Sequence, residues 1–233
     1  MHIGGFQKNS LIDFPGTVAC VVFTTGCNFF CPYCHNPDLA SGPVTGIGRY
    51  NVQDIFIFLA SRKGLVDGVV ITGGEPCLQP DLSDFIFQIK HMGFAVKLDS
   101  NGSRPQVLAH LLERSLVDYV AMDIKTAPNL YPDILTTSHR VDAIQESMDL
   151  IMEKAPAYEF RTTCVRPFIT EEIMEKICRQ IKGAQKYVLQ KCSRNVHMLD
   201  PQFAQQPDRF FSDLEMQGLK AIAQKEVKTV IIR

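Results

Sequence analysis

The sequence predicts an α/β fold built on a mainly parallel sheet. Two observations point there: strand-length apolar runs recur along the chain, and segments with helical apolar spacing fall between them. A third is that most of the runs are continuous rather than alternating, as expected for parallel strands covered on both faces.

In chain order, the strand candidates are 18–24, 68–72, 94–99, 119–124, 159–165 and 187–190, with a last one at 227–232. Helix candidates lie between them. Over 81–92 the residues Phe85, Ile89 and Met92 share one helical face, and Ile144, Met148 and Ile151 repeat the pattern further on. Thr170 is a natural N-cap, with Glu171 and Glu172 suited to the positive end of the helix that follows. The Gly/Pro-rich stretch 41–48 reads as a surface loop. No repeat of solenoid length and no linker interrupts the chain, so residues 1–233 read as one domain: a lead segment 1–17 and an α/β unit over 18–233.

With 233 residues, 45% of them hydrophobic and 21% charged, the chain can bury a core without disulfides, and its composition excludes low-complexity disorder. The 24 basic and 25 acidic residues leave a net charge of −1, so no basic surplus draws it toward nucleic acid or an anionic membrane. The first residues lack the basic start and apolar run of a signal peptide, and no apolar stretch approaches membrane-spanning length. A cytoplasmic location is expected, where 8 Cys are better explained by metal or redox chemistry than by disulfides.

The strongest local signal follows the first strand candidate: Cys27, Cys31 and Cys34, spaced C-x3-C-x2-C and followed by His35. Three thiolates on so short a loop can converge on one metal centre and leave a four-iron cluster one ligand short. The alternative is a structural zinc site completed by His35, although sequence-adjacent Cys34 and His35 are poorly placed to share one ion. Gly73-Gly74-Glu75-Pro76 closes the second strand; its glycines allow close backbone approach and its carboxylate can receive an ammonium group. Asp99-Ser100-Asn101-Gly102 and Asp123-Ile124-Lys125 close the third and fourth, and each taken alone reads as turn chemistry or a fraying strand end. Arg161 sits on the fifth, as a contact to a ligand or as half of an ion pair. Cys20, Cys77, Cys164, Cys178 and Cys192 read as packing residues.

The cysteine spacing, with aromatic Tyr33 before the last thiol, resembles the signature of the radical S-adenosylmethionine superfamily. That resemblance implies a [4Fe-4S] cluster on Cys27, Cys31 and Cys34 whose open iron chelates S-adenosylmethionine, and a 5′-deoxyadenosyl radical released by one-electron cleavage. It places Tyr33, Gly73, Gly74, Glu75 and Pro76 beside the cofactor, Glu75's motif holding the methionyl amino group. The segments after the third and fourth strands resemble those of pyruvate formate-lyase activating enzyme, implying a monovalent cation (Na+ or K+) on Asp99, Ser100 and Asp123, with Lys125 and Arg161 toward the cofactor. All these motifs fall at the C-terminal ends of consecutive strands, the face where (β/α) barrels gather their active sites. The fold implied is an open, partial (β/α)6 TIM-like barrel, with the last strand as an addition.

The lead segment from Gly4 to Gly16, together with His35-Asn36-Pro37-Asp38 after the cysteines, resembles the anaerobic ribonucleotide reductase activating proteins. The resemblance implies abstraction of a hydrogen atom from a backbone glycine of a partner glycyl radical enzyme, with flavodoxin or ferredoxin as electron donor. Asp13 matches the residue that positions the partner's glycine loop; otherwise Asp13-Phe-Pro-Gly16 is a tight turn opening the first strand. The rivals are a radical enzyme acting on a small molecule or RNA, and a non-catalytic zinc-binding module.

Overall fold

The computed structural model describes residues 1–42, 50–131 and 141–233, so the loop expected at 41–48 lies, from 43 onward, outside the described residues. The strands are β1 (Ile3–Ser10), β2 (Ala19–Thr24), β3 (Gly68–Gly73), β4 (Ala95–Ser100), β5 (Tyr119–Asp123), β6 (Tyr158–Cys164), β7 (Tyr187–Lys191) and β8 (Val230–Ile232). They form one sheet in sequence order. From β2 onward every neighbouring pair is parallel, and no pairing joins β8 to β1 among the described residues, so the barrel is open. Helices α1 (Pro37–Ala40), α2 (Val52–Ser61), α3 (Leu82–His91), α4 (Pro105–Glu113), α5 (Val141–Lys154), α6 (Glu171–Gln180), α7 (Pro201–Ala204) and α8 (Asp213–Ala223) occupy the crossovers.

The expected strands are all present to within a few residues, and Thr170 caps α6 by accepting the Ile173 N–H at 3.2 Å. Ile144, Met148 and Ile151 are fully buried on α5, as their spacing implies. One strand was not foreseen. β1, inside the lead segment, runs antiparallel to β2, with Ser10 opposite Ala19 and Ile3 opposite Thr24.

Strand alternation divides the sheet into two faces. Val69, Ile71, Val96, Leu98, Val120, Met122 and Phe160 face the helices and belong to the main hydrophobic core. The intervening residues face the barrel interior. Low in the interior, Phe14, Ala19, Val21 and Val70 form a small separate core, with Phe14 seated against Gly68 and edge-on to Tyr119 at 6.0 Å. This core closes the floor of the barrel. Higher up, the same alternation brings Asp99, Asp123, Arg161 and Thr163 to the interior, where they line a cavity.

Candidate active site

The cavity, about 250 Å³, opens at the C-terminal ends of the parallel strands. Cys27, Cys31 and Cys34 line it from the loop after β2, Gly73, Gly74 and Glu75 from the end of β3, and Asp99, Ser100 and Asn101 from β4. Asp123 and Lys125 enter from β5, Arg161 from β6 and Gln190 from β7.

The glycines after β3 are needed for contact between main chains. A Cβ on Gly74 would lie 2.1 Å from the Gly26 carbonyl oxygen, and Gly73 has φ +119 with its Cβ direction blocked by Thr24 backbone. Freed of side chains, this turn bonds to the cysteine loop: Gly74 N–H donates to Thr24 O at 2.9 Å, and Glu75 N–H to Gly26 O at 2.8 Å. Pro76 begins a short buried turn, Pro76–Leu78, and is not among the cavity-lining residues.

Glu75 is buried and braces three segments. Its Oε1 accepts the Cys77 N–H at 3.0 Å and the Ser100 hydroxyl at 2.9 Å, and its Oε2 accepts the Asn101 N–H at 2.6 Å. Burial pushes its carboxyl upward, opposed by those donors. Burial likewise pushes the Cys31 thiol up to about 12 and the Cys27 thiol up to about 11, while the Lys125 ammonium favours the thiolate at both. Lys125 itself is held in its charged form: burial works against the charge, and Asp123 outweighs it.

Arg161 joins two carboxylates. Its Nε donates to Asp123 Oδ1 at 2.7 Å and its Nη1 to Asp99 Oδ2 at 2.9 Å. Lys97, only 2% exposed, takes the other oxygen of Asp99, and Lys125 takes the other oxygen of Asp123 at 2.9 Å. Asp99, Ser100 and Asp123, the residues expected to hold a monovalent cation, all line the cavity. Each carboxylate oxygen already pairs with a protein cation, and Ser100, pointing the other way along β4, gives its hydroxyl to Glu75.

Asp13 is not brought to the cavity. Because β1 is antiparallel to β2, the connection between them sits at the N-terminal ends of the parallel strands, by the floor. There Asp13 accepts the Ser10 hydroxyl, and Phe14 O accepts the Thr17 N–H at 3.1 Å to close a turn with Gly16 at φ +72.

Tyr33 is buried against Phe168 at 5.1 Å and Phe203 at 5.9 Å; its hydroxyl has no hydrogen-bond partner among the described residues. His35, the fourth ligand of the zinc alternative, places Nε2 3.4 Å from Cys192 Sγ. Of the remaining cysteines, Cys20, Cys77, Cys164 and Cys178 are packed in the main core; Cys192 belongs to it too, and its contact with His35 links the end of β7 to the cysteine loop. Asn101, from the motif that closes β4, and Asn28, which the sequence did not single out, hydrogen-bond to each other at 3.0 Å beside Cys27.

This donor set suits a three-thiolate iron–sulfur centre with a zwitterionic ligand beside it. Three thiols reach the cavity with no fourth cysteine lining it among the described residues, cationic groups stand next to them, and an unpartnered buried hydroxyl completes the wall.

A sequence model of the radical SAM superfamily matches residues 21–181. The chain belongs to that superfamily. Radical SAM proteins use a [4Fe-4S] cluster and S-adenosylmethionine, and this member is an enzyme of the activating-enzyme type. It is 31% identical to a candidate glycyl-radical enzyme activating enzyme of Methanocaldococcus jannaschii, over 99% of this chain and 95% of that protein. It is 36% identical to the pyruvate formate-lyase-activating enzyme of Listeria monocytogenes over 53% of each chain, thus spanning about half of that relative. Among solved structures, Streptococcus suis SuiB bound to S-adenosylmethionine superposes with a TM-score of 0.66 at 15% identity, over 91% of this chain and 49% of that one. TYW1 with a lysine-pyruvate adduct gives 0.59 at 16% identity, over 90% and 75%. These two likenesses show the radical SAM fold. No helix among the described residues is long and apolar enough to cross a membrane.

Proposed function

We propose that this radical SAM protein activates a glycyl radical enzyme, removing a hydrogen atom from one backbone glycine of that partner. Anaerobic ribonucleotide reductase is the partner we favour, and flavodoxin or ferredoxin the electron donor. The observation that carries the reading is the single cavity on which the cysteine loop, the Gly73–Glu75 turn and the Asp123, Lys125, Arg161 cluster converge. Similarity to an activating enzyme along nearly the whole chain supports it.

In this reading Cys27, Cys31 and Cys34 hold the cluster. When bound, cluster and cofactor together would supply the one-electron chemistry needed to remove a hydrogen atom from the substrate. The protein's residues bind and orient. Lys125 and Arg161 present positive charge to the cofactor's carboxylate. Glu75, which lines the cavity from the turn after β3, would receive the amino group with its carboxylate. Gly73 and Gly74 hold the turn against the cysteine loop at the cavity edge, and Tyr33 would pack beside the cofactor. The closed floor confines the reacting groups to the upper half of the barrel, and the unclosed sheet leaves room for a polypeptide.

The test is anaerobic incubation of the iron-reconstituted protein with S-adenosylmethionine, a reductant and candidate glycyl radical enzymes. A glycine-centred EPR doublet in the partner is expected. Methionine and 5′-deoxyadenosine formed with no doublet in any partner would overturn the proposal and move the substrate to a small molecule or RNA.

A further inference from the structure

Asn101 follows β4 and is 6% exposed. Its main-chain N–H donates to Glu75 Oε2 at 2.6 Å, which fixes the residue to the turn after β3. Its side-chain carbonyl Oδ1 accepts the Ser103 N–H at 2.9 Å. That bond settles the orientation of the amide, because only the oxygen can face a main-chain donor. The NH2 group must then point the other way. There it donates to Asn28 Oδ1 at 3.0 Å and approaches Cys27 Sγ at 3.9 Å, a sulfur that also receives the Phe29 N–H at 3.4 Å. Asn28 is held in turn, donating to the Ser103 hydroxyl at 2.9 Å.

We propose that Asn101 is a positioning residue for the iron–sulfur centre: held by Glu75, Ser103 and Asn28, its side-chain amide donates a hydrogen bond to Cys27 Sγ, placing that sulfur and raising the centre's reduction potential. The inference rests on the reading that Cys27 is a cluster ligand. A donor to a ligating sulfur stabilises the more electron-rich, reduced state, and hydrogen bonds to the sulfurs are among the terms that set the potential of such centres. The amide is neutral, so it achieves this without changing the charge of the site. The network also gives the buried carboxylate of Glu75 a second task, since Glu75 fixes the main chain from which the amide reaches the sulfur.

The experiment compares parent, Asn101→Ala and Asn28→Ala after anaerobic reconstitution, without any partner protein. Iron and sulfide content are measured first, then the midpoint potential of the cluster by mediated titration followed by EPR. Asn101→Ala is expected to shift the midpoint to more negative potential, each tenfold loss in the reduction equilibrium being about 59 mV for one electron. Asn28→Ala keeps the donor but releases its orientation, and a smaller shift in the same direction is expected. Midpoints equal to the parent's in both variants would overturn the proposal. If Asn101→Ala loads no iron, Asn28→Ala decides by the same criterion. Because no partner is present, a missing glycyl radical would count against the proposed function and leave this result standing.

Discussion

Arg161 on β6 reaches Asp99 on β4 across the whole width of β5, its Nη1 lying 2.9 Å from Asp99 Oδ2. Asp123, the register partner of Arg161 on β5, fills the gap and takes the Nε at 2.7 Å. One guanidinium thus ties three consecutive strands at the mouth of the cavity, using the fork geometry that suits arginine to paired carboxylates.

Replacing that guanidinium should expose how the strand ends depend on it. Burial on its own would raise the carboxyls of Asp99 and Asp123, but Arg161, with Lys97 or Lys125, overcomes it and holds both below the usual range. A carboxyl lowered in the folded state stabilises the protein above its unfolded value, and that contribution disappears as pH falls through the folded value. The parent's urea midpoint should therefore hold steady from pH 7 to 5 and drop below about pH 4. Arg161→Ala should cost about 3–5 kcal/mol at pH 7, the scale for breaking a buried pair. It should also lose the acid-side drop, which paired urea titrations at both pH values would show.

Cys31→Ala removes one of the three thiols on the cavity and little volume. Its iron content after reconstitution should fall to background and S-adenosylmethionine cleavage should be undetectable. Stability should change by about 1 kcal/mol, an ordinary loss for a small substitution. Retained cleavage would mean that a different set of ligands holds the cluster.

Gly74→Ala tests the contact between the turn after β3 and the cysteine loop. The added carbon would sit 2.1 Å from a main-chain oxygen of Gly26, the residue before Cys27, and main chain cannot rotate aside. A loss of about 1–3 kcal/mol is expected, the cost of overpacking, together with reduced iron loading. Gly218→Ala, on α8 with open space around the position, is the control; it should raise thermal stability and leave iron loading alone.

Asp13→Ala tests the placement of the β1–β2 turn at the floor. Losing the bond from the Ser10 hydroxyl should cost on the order of 1 kcal/mol. The yield of the glycine-centred EPR doublet in a competent partner should be unchanged. A lost doublet with intact cofactor cleavage would instead put the partner's loop at this end of the barrel.

The sequence disclosed most where function is local. The cysteine loop carries its spacing within eight residues, from Cys27 to Cys34, and Gly73-Gly74 announces a tight approach wherever it occurs. β1 escaped notice because Ile3–Ser10 has no apolar alternation to read; what makes it a strand is pairing with β2. Its Gly4 is explained only in three dimensions, where a Cβ would lie 2.5 Å from both Leu39 and Thr25. Lys97 shares the face of β4 with Asp99 by strand alternation, but that this face is the buried interior, where the two pair beside Arg161, depends on β5 and β6. Asn28 and Asn101 are 73 positions apart, and no local pattern connects them.

The alternation along β4, β5 and β6 sets a limit on how this chain can vary in length. Most residues facing the helices are apolar, among them Val96, Leu98, Val120, Met122 and Phe160, whereas Lys97, Asp99, Asp123 and Arg161 alternate with them on the interior face. Inserting or deleting a single residue within one of these strands would turn every following side chain to the opposite face, sending Asp99 or Arg161 into the hydrocarbon layer and Leu98 or Phe160 into the cavity. Gains and losses of sequence should therefore be tolerated in the connections and excluded from the strands. A library of single-residue deletions scored for folded protein would show this as silent intervals, about one strand long, separated by permissive loops.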